Sequence, residues 1–178
     1  PFFMCGPGDP EGFLYRGSRN TDGTRTGDQM SLIDKVTRNG ANAIYMIAVR
    51  SHGGDGGPSH NPWLNSDPNQ GLSEPILAQW DTWFTEMDSR GVTIVFFFYD
   101  DRTLVFSGTD VPPAEESFIR DIVLRFRKYN HLMWIMAEEY REVLTAAKVS
   151  HMALIVRAND PDHPIGVHQP VNNNAVFD

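Results

Sequence analysis

The chain has 178 residues, of which 40% are hydrophobic and 21% charged, and its formal net charge is −8. This length and composition predict one globular domain with a substantial core. The acidic balance argues against binding to nucleic acid or an anionic membrane surface, and no apolar run is long enough to span a membrane. The single cysteine, Cys5, excludes an internal disulfide and a CxxC metal site, and its apolar neighbours predict a buried thiol.

Five apolar segments of strand length alternate with four segments of helical periodicity. The predicted strands are residues 1–5, 43–49, 92–99, 132–137 and 163–168. The helices between them are predicted to begin near Asp28, Ser73, Pro113 and Tyr140. Apolar residues three or four positions apart mark the helices, whereas β-branched and aromatic residues fill the third strand. The alternation predicts an α/β fold in which right-handed βαβ units build a parallel sheet.

The fourth predicted strand runs directly into two adjacent carboxylates, Glu138 and Glu139. A fully apolar run of this length is typical of a strand buried on both faces, although a helix buried on all sides would look similar. Carboxylates at the end of such a strand would face the mouth of an α/β barrel. The alternative is that the two glutamates begin the next helix, where acidic residues suit the helix dipole.

Two architectures fit this alternation, an open doubly wound sheet and a (β/α)8 barrel. There is no GxGxxG after the first strand and no P-loop, which weakens the case for a nucleotide-binding sheet. Long loops follow the strands while the helix-to-strand turns are short, a pattern that favours the barrel. A complete barrel needs about 250 residues. We therefore expect a single domain over residues 1–178 that forms the N-terminal half to five-eighths of a barrel and is truncated at both ends.

Polar side chains follow each predicted strand. They are Asp9 after the first, His60 and Asn61 after the second, Asp100 and Asp101 after the third, Glu138, Glu139 and Tyr140 after the fourth, and His168 at the end of the fifth. In a parallel barrel these groups converge on one rim. Carboxylates accept hydrogen bonds from sugar hydroxyls, and paired carboxylates supply the acid and the base or nucleophile of glycoside hydrolysis. The rim therefore suits a carbohydrate ligand.

Other interpretations stay open for several of these residues. Asp100 and Asp101 also suit a cap on the loop that follows the third strand, and His168 also suits a structural histidine. His52 and His60 lie eight residues apart, which matches no known zinc motif, and no EF-hand pattern surrounds Asp55. We therefore expect neither a metal ion nor a cofactor.

The order of these motifs resembles the TIM-barrel glycoside hydrolases whose acid/base glutamate ends the fourth strand, and within that clan the apiosidase-like group. The matching segments are Pro1-Phe2-Phe3 with Gly6, His60-Asn61-Pro62, Phe96 to Asp101, Trp134 to Glu139, and His163-Pro164-Ile165 with His168. The clan pattern at the fourth strand is Trp-x-x-x-Asn-Glu. The resemblance thus implies that Glu139 is the acid/base and that Glu138 replaces the asparagine.

The nucleophile of that clan ends a seventh strand, and no seventh strand is predicted here. The resemblance therefore implies half of a glycosidase active site, inactive alone, in which Glu139 donates the proton. Glu138, Asp100, Asp101 and His168 would shape the sugar subsite. The alternative is a non-catalytic half-barrel that binds carbohydrate, or that forms a homodimer through the open edges of its first and fifth strands.

Overall fold

The computed structural model describes residues 3–7, 12–50, 56–102 and 105–168. A short antiparallel hairpin comes first, formed by β1 (Ser18–Arg19) and β2 (Arg25–Thr26). The main sheet follows, with strands β3 (Ala43–Val49), β4 (Thr93–Tyr99), β5 (Leu132–Ala137) and β6 (Ile165–Gly166). The helices are α1 (Gln29–Arg38), α2 (Glu74–Ser89), α3 (Pro113–Phe126) and α4 (Ala146–Asn159). Within the described parts of the chain, no helix has the length and apolar character needed to cross a membrane.

The main sheet is parallel, and its strands lie side by side in chain order, β3-β4-β5-β6. The pairing of β3 with β4 runs from Ala43 opposite Thr93 to Val49 opposite Tyr99. A doubly wound sheet reverses its strand order at a switch point, whereas a barrel adds each strand next to the previous one. The sequential order therefore confirms the barrel-type winding that the alternation and the loop lengths predicted.

The helices build the main core on one face of this sheet. Alternate strand residues such as Phe96 and Trp134 point to that face, because side chains alternate along a strand. Phe96 lies in the middle of an aromatic cluster, with ring centroids 6.2 Å from Trp80, 6.2 Å from Phe84 and 5.4 Å from Trp134. Burial of each large apolar side chain contributes about 1.5–3 kcal/mol, so this layer accounts for most of the hydrophobic stabilisation.

We call the opposite face of the sheet the inner face. Among the described residues, the hydrophobic cluster on this face is made of strand residues alone. A small buried group lies there, made of Ile47, Phe97 and Ile135, with Tyr45, Val95 and Met133 partly buried beside it. In a closed barrel this is the face that lines the interior.

Two predictions for residues 1–5 were wrong in the part of this segment that the structure describes: the first strand and the buried thiol. Residues 3–7 run beside the start of β3 without forming a strand. They pair with Asn42. The Asn42 side-chain Oδ1 accepts a hydrogen bond from the Cys5 backbone N–H, and the Asn42 backbone N–H donates to the Cys5 carbonyl, both at 2.8 Å. Cys5 is exposed, as are Phe3 and Met4, because no described element covers this edge.

The last predicted elements are shorter than expected. The fifth strand was predicted over residues 163–168 and spans only Ile165–Gly166. The helix predicted from Tyr140 begins only at Ala146, after a 3-10 turn at Tyr140–Glu142, because Thr145 caps it by accepting from the Lys148 backbone N–H at 3.1 Å. Glu138 and Glu139 therefore end a strand and do not begin a helix.

Candidate functional site

The two glutamates lie at the carboxyl end of β5. The Glu138 backbone N–H still donates to the Tyr99 carbonyl of β4 at 3.0 Å, so the sheet extends to this residue. Glu139 leaves the sheet with φ 29° and ψ 47°, a left-handed conformation that is uncommon for a residue with a side chain. Adjacent strand residues point to opposite faces. The change of backbone conformation at Glu139 thus allows both carboxylates to face one mouth.

His168 joins the glutamates from the end of β6. Its backbone N–H donates to the Ala137 carbonyl at 3.2 Å, and its Nδ1 lies 3.8 Å from Glu139 Oε1. One side-chain N or O atom from each of Glu138, Glu139 and His168 lies within 4.8 Å of the other two. These three residues, the mouth cluster, are the predicted site residues that the fold brings together.

Tyr45 is a site residue that the sequence analysis missed. Its hydroxyl donates a hydrogen bond to Glu138 Oε1, although 93 residues separate the two and β4 lies between their strands. The Tyr45 ring reaches across the inner face by packing on Phe97, with 4.4 Å between ring centroids. The available signal was a tyrosine at an inward position of an otherwise apolar strand.

A cavity of about 300 Å³ opens beside the mouth cluster on the inner face. It is lined by Tyr45, Val95, Phe97 and His168, together with Met4, Gly6, Pro7 and Ala43. The Phe97 and His168 rings meet edge to face, with centroids 6.3 Å apart. The site therefore combines carboxylates and an imidazole at the rim with aromatic faces below them, which are the groups that sugar rings contact.

The two aspartates after β4 lie in different surroundings. Asp100 is only 1% exposed, and its Oδ1 accepts the Arg102 backbone N–H at 3.2 Å, so the geometry favours the loop-cap interpretation. Asp101 is partly exposed, and its Oδ2 lies 3.6 Å from Arg102 Nε. The same nitrogen lies 3.6 Å from Glu142 Oε2. Asp101 thus stays a rim residue, while Asp100 offers little surface to a ligand.

Tyr140 and Asn61 are turned into the protein. Tyr140 is completely buried, and its hydroxyl accepts a hydrogen bond from Arg141 Nε at 2.9 Å. Asn61 is 2% exposed and stabilises its loop by donating to the Pro58 carbonyl at 2.8 Å and accepting the Trp63 backbone N–H at 3.2 Å. Burial of both side chains favours structural roles over the predicted sugar contacts. Asp9, like His52 and Asp55, lies outside the described residues.

His60 belongs to a separate cluster of aromatic and basic groups. Its ring stacks on Tyr15 with centroids 5.1 Å apart, and the Arg25 guanidinium lies 5.4 Å from the Tyr15 ring centre. Burial, together with the positive charges of Arg25 and Arg50, lowers the pKa of His60. A neutral imidazole stacked on a buried ring packs the loop after β3, and the predicted sugar contact of His60 stays a prediction.

Comparison with known proteins gives matches only among solved structures, since no protein-family model and no curated protein matches the chain. A glycoside hydrolase family 5 structure from Bacteroides vulgatus superposes with a TM-score of 0.64 at 14% identity, over 95% of this chain and 35% of that one. Thermotoga maritima Cel5A, solved with mannotriose, gives 0.58 at 12% identity, over 94% and 58%. An endoglucanase Cel5A from Pseudomonas stutzeri gives 0.58 at 12%, over 76% and 41%.

The fold is part of a TIM barrel. At these identities the similarity shows the fold alone, and the chain spans about a third to just over a half of the matched structures. In the barrel, β3 to β6 are consecutive strands, and the mouth cluster lies at their carboxyl ends. That end carries the active sites of TIM-barrel enzymes in general.

Proposed function

We propose that this partial barrel forms the acid/base half of a carbohydrate-active site. Glu139 acts as the proton donor, while Glu138 and His168 contact the sugar and Asp101 contributes to the rim. The observation that carries the proposal is the convergence of Glu138, Glu139 and His168 within 4.8 Å at the carboxyl ends of a barrel-type parallel sheet. We also propose that the protein is related to the apiosidase-like group and that residues 1–178 form a single domain.

The chemistry assigned to Glu139 is proton transfer to the glycosidic oxygen. The oxygen takes the proton as its bond to the anomeric carbon breaks, and Glu139 is left as a carboxylate. A second carboxyl group then has to serve as nucleophile or base, at about 5–9.5 Å from the acid. We assign Glu138 to sugar binding, because it takes the place of the asparagine in the clan pattern and lies directly beside Glu139, with nearest carboxylate oxygens within 4.8 Å of each other. The mouth cluster thus supplies the acid alone, and we expect the chain by itself to be inactive.

The test supplies the second group from solution. Wild type and Glu139→Gln are incubated with α- and β-linked disaccharides, whose leaving alcohol needs a proton, with and without sodium formate as a substitute carboxylate, and the reducing sugar released is measured. We expect formate-dependent release by the wild type, and release slower by about 10²–10⁴-fold in Glu139→Gln, because general acid catalysis contributes that much. Glu142→Gln is the matched control, since it removes an exposed rim carboxylate outside the mouth cluster.

Equal release by wild type and Glu139→Gln would reject Glu139 as the acid. Absence of release from every protein would instead favour the second candidate, a non-catalytic half-barrel that binds carbohydrate or pairs with itself. One observation favours self-pairing. Among the described strands, β6 has a neighbour only on its β5 side, so its other edge has no strand partner there.

A further inference from the structure

The Tyr45 hydroxyl anchors the Glu138 side chain on the inner-face side of the mouth. In the sheet, Tyr45 of β3 pairs with Val95 of β4, and Val95 pairs with Met133 of β5. Glu138 follows the end of β5, so the two residues are not level across the sheet, and their side chains lean towards each other to form the hydrogen bond. The Tyr45 ring packs on Phe97 with 4.4 Å between ring centroids, which holds the hydroxyl in place.

The position of Glu138 matters because of the proton that the proposed function assigns to Glu139. Oxygens of the two carboxyl groups lie within 4.8 Å of each other. A protonated carboxyl group donates to an ionised one when their oxygens approach to about 2.5–2.7 Å. A modest rotation of the Glu138 side chain would therefore let it accept the Glu139 proton in a hydrogen bond. A proton engaged in this way is not directed at the glycosidic oxygen.

We propose that Tyr45 is a positioning residue that keeps the Glu139 proton directed at the glycosidic oxygen. By donating to Glu138 Oε1, the Tyr45 hydroxyl holds the Glu138 carboxylate towards the inner face, so that it does not turn to Glu139. The inference rests on the proposed function, because it takes Glu139 to be the acid. Tyr45 keeps its own proton throughout, and it acts on the reaction through Glu138.

The choice of leaving group separates this role from a general effect on the fold. Tyr45→Phe removes the hydroxyl and keeps the ring that packs on Phe97. Release in formate is measured for a disaccharide, whose leaving alcohol needs a proton, and for the 2,4-dinitrophenyl glycoside of the same sugar, whose leaving phenolate does not. We expect Tyr45→Phe to slow release from the disaccharide at least about tenfold, as for loss of a hydrogen bond to a charged group. Release from the dinitrophenyl glycoside should be unchanged.

Tyr129→Phe is the matched control, because the Tyr129 hydroxyl also donates to a carboxylate, Asp81 Oδ1 at 2.6 Å, but between α2 and the end of α3. It should leave both rates as in the wild type. Tyr45 and Glu138 each have other contacts as well, so a double-mutant cycle is needed to isolate the contact between them. We expect Tyr45→Phe to cause no further slowing in a Glu138→Gln background, because the charged acceptor is already gone.

Three results would overturn the role of Tyr45 and leave the proposed function standing. They are equal slowing of both substrates by Tyr45→Phe, which is the mark of a structural role, slowing of neither, and the same slowing in the Glu138→Gln background as in the wild type. A wild type that releases nothing from any disaccharide, or that releases as much as Glu139→Gln, would overturn the proposed function and the role of Tyr45 together.

Discussion

The ion pair between Lys148 and Glu115 is buried in the protein interior. Both side chains are 1% exposed, and Lys148 Nζ lies 2.7 Å from Glu115 Oε2 and donates to the Phe106 carbonyl at 2.9 Å. Burial raises the pKa of Glu115, with Lys148 acting in the opposite direction, and burial beside Glu115 raises the pKa of the Tyr99 hydroxyl. The pair thereby connects α3, α4 and the loop after β4.

Removal of one partner of this pair should be costly. Lys148→Met leaves the Glu115 charge buried without its counter-ion, and we expect the free energy of unfolding to fall by about 3–5 kcal/mol. Lys128→Met removes a partly exposed partner of Asp81, 2.8 Å away, and should lower it by at most about 1 kcal/mol. Urea unfolding followed by tryptophan fluorescence measures both values. Similar losses in the two variants would show that the buried pair is not a special contributor to stability.

The connection from α4 to β6 is held by the carboxylate of Asp160. Its Oδ2 accepts the Trp134 indole N–H at 2.8 Å and lies 2.7 Å from His163 Nδ1. Burial alone would raise the pKa of Asp160, but the hydrogen bonds from Trp134 and His163 outweigh it and hold the pKa below its ordinary value. The charged carboxylate therefore fixes β6 against β5, which in turn places His168.

The depressed pKa of Asp160 makes the contribution of this residue depend on pH. A carboxyl whose pKa is lower in the folded state stabilises the fold above its unfolded pKa, about 3.9, and loses that effect as the pH falls through the folded value. We expect Asp160→Asn to be less stable than the wild type near neutral pH, with a difference that shrinks below about pH 4. Thermal unfolding between about pH 3 and 7 measures this. Asp162→Asn is the control, because its exposed side chain should show no such convergence.

At the level of elements, the sequence predicted what depends on local composition. The apolar runs of β3, β4 and β5 match the predicted strands to within one residue, since a strand buried on both faces has to be apolar throughout. The first and fifth strands were overestimated because their length depends on pairing partners and not on their own residues. Among the described residues, 3–7 pair mainly with Asn42.

At the level of the whole molecule, sequential winding brings Glu138, Glu139 and His168 together, as the order of the motifs predicted. The contact between Tyr45 and Glu138 could not be predicted, because it crosses an intervening strand and depends on the twist and register of the sheet. The inward orientation of Tyr140 depends likewise on the turn that follows β5. Composition and spacing carry little information about such contacts.

Self-pairing is a property of the whole molecule, and the edge of β6 allows a specific test. The Trp134 N–H donates to the Pro164 carbonyl and the His168 N–H to the Ala137 carbonyl, so the N–H of Val167 points away from β5. Val167→Pro removes this outward donor and leaves the contacts with β5 intact. If the wild type is a dimer by light scattering, we expect Val167→Pro to be a folded monomer. A monomeric wild type, or a variant that stays dimeric, would exclude pairing at this edge.

The left-handed backbone at Glu139 has a consequence for what this position can tolerate. Glycine would adopt the same conformation with less strain, so the residue that favours stability differs from the residue that favours acid chemistry. A library of variants ranked only by heat resistance should therefore drift towards glycine here, whereas one ranked by sugar processing should retain the acid. The two selections should therefore favour different residues at position 139.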